Sequence, residues 1–173
     1  MAKNNREKEL KILIQQDYKS LEKLLSKFYA TNNKTVGSSK DIYWKNNRNT
    51  EADFFRLRFL SNLTGQVTVK HEDKLGSFDR VEIDLEVKDP KQAKLLFTRL
   101  LGNPIGSIEK KYIVYWMDLN TNVSLYEVKH SKEVFLEIEG LSKKTIDKIY
   151  KTLNPILGKH KVLNKSLFAR YFK

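Results

Sequence analysis

The segment 80–88 alternates without exception: Arg80, Glu82, Asp84, Glu86 and Lys88 are charged, and Val81, Ile83, Leu85 and Val87 between them are apolar. Successive side chains of a strand point to opposite faces, so this stretch forms a strand with one charged face and one apolar face. Three other stretches divide in the same way. Glu7, Glu9 and Lys11 oppose Leu10, Ile12 and Ile14; Arg56 and Arg58 oppose Phe55, Leu57 and Phe59; Glu137 and Glu139 oppose Val134, Leu136 and Ile138. Strands of this kind suit an open sheet with one wet face, or a closed barrel with a polar lumen and helices covering its outside.

Any single pair of these charges fits a solvated face of cross-strand ion pairs, each of small energetic weight. Four strands with the same segregation, some acidic and some basic, favour a functional lumen. Neighbouring carboxylates such as Glu7 and Glu9 repel unless opposite charge sits between them, and a divalent cation answers that need. Arg56, Arg58, Lys70 and Arg80 suit a phosphate chain, because a guanidinium fork matches phosphate oxygens and lysine acts as a point charge. An interior this charged requires ligand, metal and water to satisfy it.

The remaining elements follow from spacing. Alternation over 6–14 predicts a strand, Tyr18, Leu21, Leu24, Leu25 and Phe28 predict a helix over 17–29, and alternation returns from about 40 to 88. Asp89-Pro90 supplies an N-cap and a first-turn proline, Ala93, Leu96, Phe97, Leu100 and Leu101 an apolar stripe, and Gly102 a stop. Strands are expected at 106–117, 121–130 and 133–140, a helix at 142–153, and a short helix near the end with Leu167, Phe168, Tyr171 and Phe172 packed inward. The class is α+β, and with 173 residues and no linker the chain reads as a single domain, 1–173.

The charge balance, 33 Lys+Arg against 21 Asp+Glu, favours a phosphate-rich partner. The absence of cysteine excludes disulfides, thiolate zinc and a cysteine nucleophile, leaving oxygen or histidine to hold any metal. His71, His130 and His160 are too scattered for a metal site, and neither serine–histidine spacing nor a phosphate-binding Gly-x-x-x-x-Gly-Lys loop is present. No apolar run is long enough to span a bilayer and the start lacks a signal-like stretch, so no membrane association and a cytoplasmic location are expected. Tyr43, Trp44, Tyr112, Tyr115 and Trp116 could stack a base or a thiamine ring, with packing the favoured role.

Read in order, these residues resemble the CYTH or triphosphate tunnel metalloenzyme superfamily, which includes class IV adenylate cyclases, thiamine triphosphatases and tripolyphosphatases. Glu7, Glu9 and Lys11 match its Glu-x-Glu-x-Lys strand; Asp41-Ile42-Tyr43, Phe55-Arg56-Leu57-Arg58 and Val69-Lys70 are similar to its next three. Arg80-Val81-Glu82-Ile83-Asp84 and Phe135-Leu136-Glu137-Ile138-Glu139 resemble its Arg-x-Glu-x-Glu/Asp and Phe-x-Glu-x-Glu strands. The resemblance implies an eight-stranded antiparallel β-barrel tunnel with a charged lumen and helices outside. It implies Mg2+ or Mn2+ on Glu7, Glu9, Glu137 and Glu139, and catalytic work by Lys11, Glu82 and Asp84, the last two at a second metal or a positioned water. Lys11, Arg56, Arg58, Lys70 and Arg80 would bind substrate, with Lys110 or Lys111 standing in for an arginine that the pattern expects near Tyr112. Two further departures are Tyr126, where an aspartate is expected, and Lys132-Glu133 in place of Leu-Gly.

The function expected from the resemblance is divalent-metal-dependent hydrolysis of inorganic tripolyphosphate, thiamine triphosphate or a nucleoside triphosphate. The alternatives are a class IV adenylate cyclase and a non-catalytic binder of nucleotides or RNA 5′-triphosphate ends; absence of His-Phe before Glu7 favours hydrolysis over cyclisation. The partners expected are a triphosphate-containing small molecule and, as a further option, an RNA 5′ end, with the chain a monomer or a homodimer.

Overall fold

In the computed structural model, residues 3–29, 33–45, 54–60, 63–71, 79–163 and 167–172 are described, and of 3–7, 70, 71, 79–82 and 169 the backbone alone. The order is β1 (Lys3–Ile14), α1 (Tyr18–Phe28), β2 (Lys34–Lys45), β3 (Phe54–Phe59), β4 (Gly65–His71), β5 (Asp79–Val87), α2 (Pro90–Leu101), β6 (Gly106–Trp116), β7 (Asn122–Val128), β8 (Val134–Gly140), α3 (Lys143–Leu153), β9 (His160–Leu163) and α4 (Leu167–Phe172). The starts of α1, α2 and α3 are capped by side chains, that of α2 by the expected Asp89. Asp17 accepts from the Ser20 amide at 3.0 Å, Asp89 from those of Lys91 and Gln92 at 3.0 Å, and Ser142 from that of Thr145 at 3.1 Å. Gly102 ends α2 at φ 85°, a left-handed conformation that glycine takes without a Cβ clash.

The strands form one antiparallel sheet in the order β5-β4-β3-β2-β6-β7-β8-β1-β9, and β5 pairs with β1 as well. Among the described residues there are nine strands, against the eight expected. The additional one, β9, pairs with β1 from Lys11↔Leu163 to Ile14↔His160. Its four residues are too few to show an alternation, so only the partner strand defines it.

The chain divides into two compact units, Met1–Arg6 with Ser38–Glu109 and Lys165–Lys173, and Glu7–Gly37 with Lys110–Asn164. In the first, Ile42, Trp44, Leu57 and Val67 form a buried cluster under Ala93, Phe97 and Leu101 of α2. The Trp44 indole N–H donates to the Gly102 carbonyl at 3.1 Å, fixing the end of the helix over β2. The expected stripe is narrower than predicted: Leu96 and Leu100 are 54% and 58% exposed. The i, i+4, i+8 line through Ala93, Phe97 and Leu101 already fills the sheet surface that α2 crosses, and the flanking leucines find no sheet beneath them.

In the second unit, register places Ile12, Leu136, Leu125 and Ile113 opposite one another across β1, β8, β7 and β6, all fully buried. Burying each such side chain contributes about 1.5–3 kcal/mol. α1 packs on β7 and α3 on β8. The opposite face of these four strands is therefore left for polar groups.

Candidate functional site

On that opposite face of the second unit, register builds two polar rows. Glu9 faces Glu139, which faces Asn122, which faces Trp116; Lys11 faces Glu137, which faces Ser124, which faces Val114. Glu9 and Lys11 are buried. Ligand oxygens of Glu9, Glu137 and Glu139 lie within 4.8 Å of one another. The Lys11 Nζ stands among them, 3.2 Å from Glu9 Oε1 and 3.0 Å from Glu137 Oε1. On the third carboxylate, Asn122 Nδ2 donates to Glu139 Oε2 at 2.7 Å, and Ser124 Oγ donates to Asn122 Oδ1 at 3.0 Å.

This donor set fits a hard divalent cation. Three carboxylates converge, hard oxygens are the ligands that magnesium and manganese favour, and the Asn122–Ser124 relay holds one ligand in orientation. The relay was not foreseen in the sequence. Its signal was present, since Asn122 and Ser124 occupy alternate positions of β7, with Val123 and Leu125 on the other face.

A third row on the same face is aromatic: Phe135 faces Tyr126, which faces Tyr112. Tyr126 stacks on Phe135 with centroids 5.3 Å apart, and the buried Lys110 places its Nζ 4.9 Å from the centre of the Tyr126 ring. Lys111 lies on the other face, paired with Glu127 at 3.2 Å and 4.4 Å over the Tyr18 ring of α1. Alternation separates the two lysines, so Lys110 alone shares the face of the carboxylates.

The first unit carries its own polar rows. Asp41, Arg58, Gln66 and Glu86 are register neighbours, as are Tyr43, Arg56, Thr68 and Asp84. Arg58 holds the buried Asp41 bidentately, at 2.8 and 3.0 Å. Arg56 donates to Thr68 Oγ1 at 2.8 Å, and the Thr68 hydroxyl donates to Asp84. On the same face α4 stacks Phe168 on Phe54 at 4.5 Å and sets Phe172 5.3 Å from Tyr43, so both aromatics on this face are covered by the C-terminal helix. Gly106 admits the Phe172 ring, since a Cβ there would collide with it.

Of the remaining candidates, Glu7 lies in β1, Lys70 in β4, and Arg80 and Glu82 in β5, with side chains outside the described residues. His71 also falls there; His130 is an exposed turn residue, and His160 Nε2 is 2.9 Å from the Tyr150 hydroxyl. No helix among the described residues is long and apolar enough to cross a membrane.

Comparison with known proteins gives the fold a wider setting. A conserved hypothetical protein from Pyrococcus furiosus superposes with a TM-score of 0.75 at 21% identity, covering 94% of this chain and 98% of that one. A protein from Pyrococcus horikoshii OT3 gives 0.74 at 22%, with the same 94% and 98%. A Hippeastrum protein, described as a candidate adenylyl cyclase with a dominant triphosphatase activity, gives 0.69 at 15%, covering 95% and 94%. No curated protein matches the chain. The profile of the CYTH domain matches residues 5–172, and the chain belongs to the CYTH family.

Proposed function

We propose that the chain is a divalent-metal-dependent phosphohydrolase that removes phosphate from a triphosphate, and that residues 1–173 act as a single domain whose sheet closes into a tunnel. Membership of the CYTH family and the pairing of β5 with β1 support the tunnel. The observation that carries the function is the convergence of Glu9, Glu137 and Glu139 around Lys11. The triphosphatase activity described for the Hippeastrum protein favours hydrolysis over cyclisation.

Glu9, Glu137 and Glu139, with Glu7 two residues before Glu9, would hold magnesium or manganese. The bound ion would neutralise phosphate oxygens and lower the barrier to attack at phosphorus. Lys11, once its carboxylate partners turn to the cation, offers its ammonium to a phosphate oxygen. Arg56, Arg58, Lys70 and Arg80 hold the phosphate chain, Arg58 exchanging part of its fork from Asp41, and Lys110 adds a cation. Asp84, which accepts from the Thr68 hydroxyl, and Glu82 would accept a proton from water.

The test is to incubate the protein with ATP, thiamine triphosphate or tripolyphosphate in magnesium or manganese and to identify products. Orthophosphate release is expected, lowered at least about 10-fold in Glu9→Gln. Cyclic AMP with pyrophosphate would establish the cyclase instead, and binding with no product would establish a non-catalytic binder.

A further inference from the structure

The helices of the second unit carry charge in a pattern that packing does not require. α1 buries Tyr18, Leu21 and Leu25, and on its opposite side Lys19, Lys23 and Lys27 are all exposed. α3 buries Ile146 and Leu153 and turns Lys144, Lys148 and Lys151 outwards in the same way. The two helices cover the neighbouring strands β7 and β8 on the apolar face of the sheet. Both lysine ridges therefore lie on the outer surface of this unit, away from Glu9, Glu137 and Glu139.

Helix stability does not account for these lysines. Like charges three or four residues apart repel, and each ridge sets two such pairs in succession. Lys19 and Lys144 stand in first turns, where the positive end of the helix disfavours a cation. No ion pair joins any of these lysines to a described residue, Glu22 and Asp147 of the same helices included. A polyanion laid across the ridges would relieve the repulsion.

Three observations choose among polyanions. Apart from Phe28, no apolar residue of either helix is exposed, so the helices have nothing to insert into a bilayer. Lysines four residues apart stand about 6 Å apart along the axis, near the separation of successive phosphates in an extended strand. The α1 ridge also ends beside a cavity of about 250 Å³, to which Phe28, Tyr29 and Lys34 contribute, and Phe28 is 47% exposed. A basic track beside an exposed ring suits single-stranded nucleic acid, whose bases stack on aromatic side chains while its phosphates follow the cations.

We propose that the outer face of the second unit binds single-stranded nucleic acid, with phosphates on the ridges of α1 and α3 and one base stacked on Phe28. The surface is separate from the carboxylate cluster and needs neither metal nor triphosphate.

The full chain is titrated in chelator, by fluorescence anisotropy, with a labelled RNA of about 16 nucleotides that carries a 5′-hydroxyl. Six phosphate contacts at about 0.7 each give an expected slope of about −4 for the logarithm of the binding constant against that of salt concentration. Two triple variants, Lys19→Gln with Lys23→Gln and Lys27→Gln, and Lys144→Gln with Lys148→Gln and Lys151→Gln, keep good helix formers. Each should flatten the slope by about 2, with circular dichroism and the rate on tripolyphosphate unchanged. Phe28→Ala should weaken RNA roughly 5- to 150-fold, the loss of one stacked base, and leave binding of long-chain inorganic polyphosphate as it was. Absence of RNA binding at low salt, with or without capture by phosphatidylserine vesicles, overturns the proposal. So does a slope unmoved in both triple variants. Equal binding of RNA and polyphosphate, with no effect of Phe28→Ala on either, overturns the assignment to nucleic acid.

Discussion

Lys11 and Glu137 are register partners across β1 and β8, and the lysine bridges Glu137 and Glu9 at 3.0 and 3.2 Å. The ammonium thus occupies the electrostatic position that a cation would share. Lys11→Met removes that charge from between the buried Glu9 and the half-buried Glu137. A loss of about 3–5 kcal/mol in stability is expected in chelator, by analogy with breaking a buried pair, and magnesium or manganese should restore more of it than in the unsubstituted protein. Thermal unfolding with and without metal is the measurement; equal metal-induced shifts in both proteins would count against the arrangement.

On the proposed metal site, Asn122 would act through Glu139, to which it donates at 2.7 Å. Asn122→Ala should therefore weaken Mn2+ binding by about 10- to 100-fold while leaving the circular dichroism spectrum intact. Titration calorimetry decides this, and Ser124→Ala, one bond further out, should give a smaller change in the same direction.

The bidentate Arg58–Asp41 pair predicts strong non-additivity. Arg58→Ala strips a buried carboxylate of its guanidinium and should lower stability by about 3–5 kcal/mol in urea unfolding. Adding Asp41→Asn removes the stranded charge and should recover part of the loss. Additive effects in the double-variant cycle would mean that the two side chains contribute independently.

Alkaline pH should loosen the second unit. Burial raises the hydroxyl of Tyr29 from its ordinary 10.0 to about 12, and burial is also the leading cause of the raised values at Tyr18 and Tyr115. A folded-state value above the unfolded one holds the proton more tightly in the folded chain. The stabilisation is therefore complete below pH 10 and lost as pH rises towards 12. Urea midpoints measured below and above pH 10 should fall with pH, and Tyr29→Phe should flatten the fall; an unchanged slope in that variant would remove Tyr29 as a cause.

Much of the architecture was legible because each element repeats its own signal. Arg80 to Lys88 could bury only one face as a strand, and Asp89-Pro90 with Gly102 bounded α2 within a residue. β9 was not legible, because four residues carry no period and its edges are set by β1. Nor was the exposure of Leu96 and Leu100, since periodicity shows which residues share a face but not how wide a surface the partner offers.

The sequence by itself determined that several strands have a charged and an apolar face, that Glu9, Lys11, Glu137 and Glu139 belong to charged faces, and that no thiolate chemistry is available. Only the tertiary structure decided that β1 lies beside β8 in the register that sets Lys11 against Glu137 and Glu9 against Glu139. It also set Lys110 over the Tyr126 ring, gave Glu139 its Asn122 partner and set Trp116 in the row of the carboxylates. The physical reason is that alternation is a property of one strand, whereas which charges meet depends on register between strands distant in sequence, fixed by the apolar rows on the opposite face.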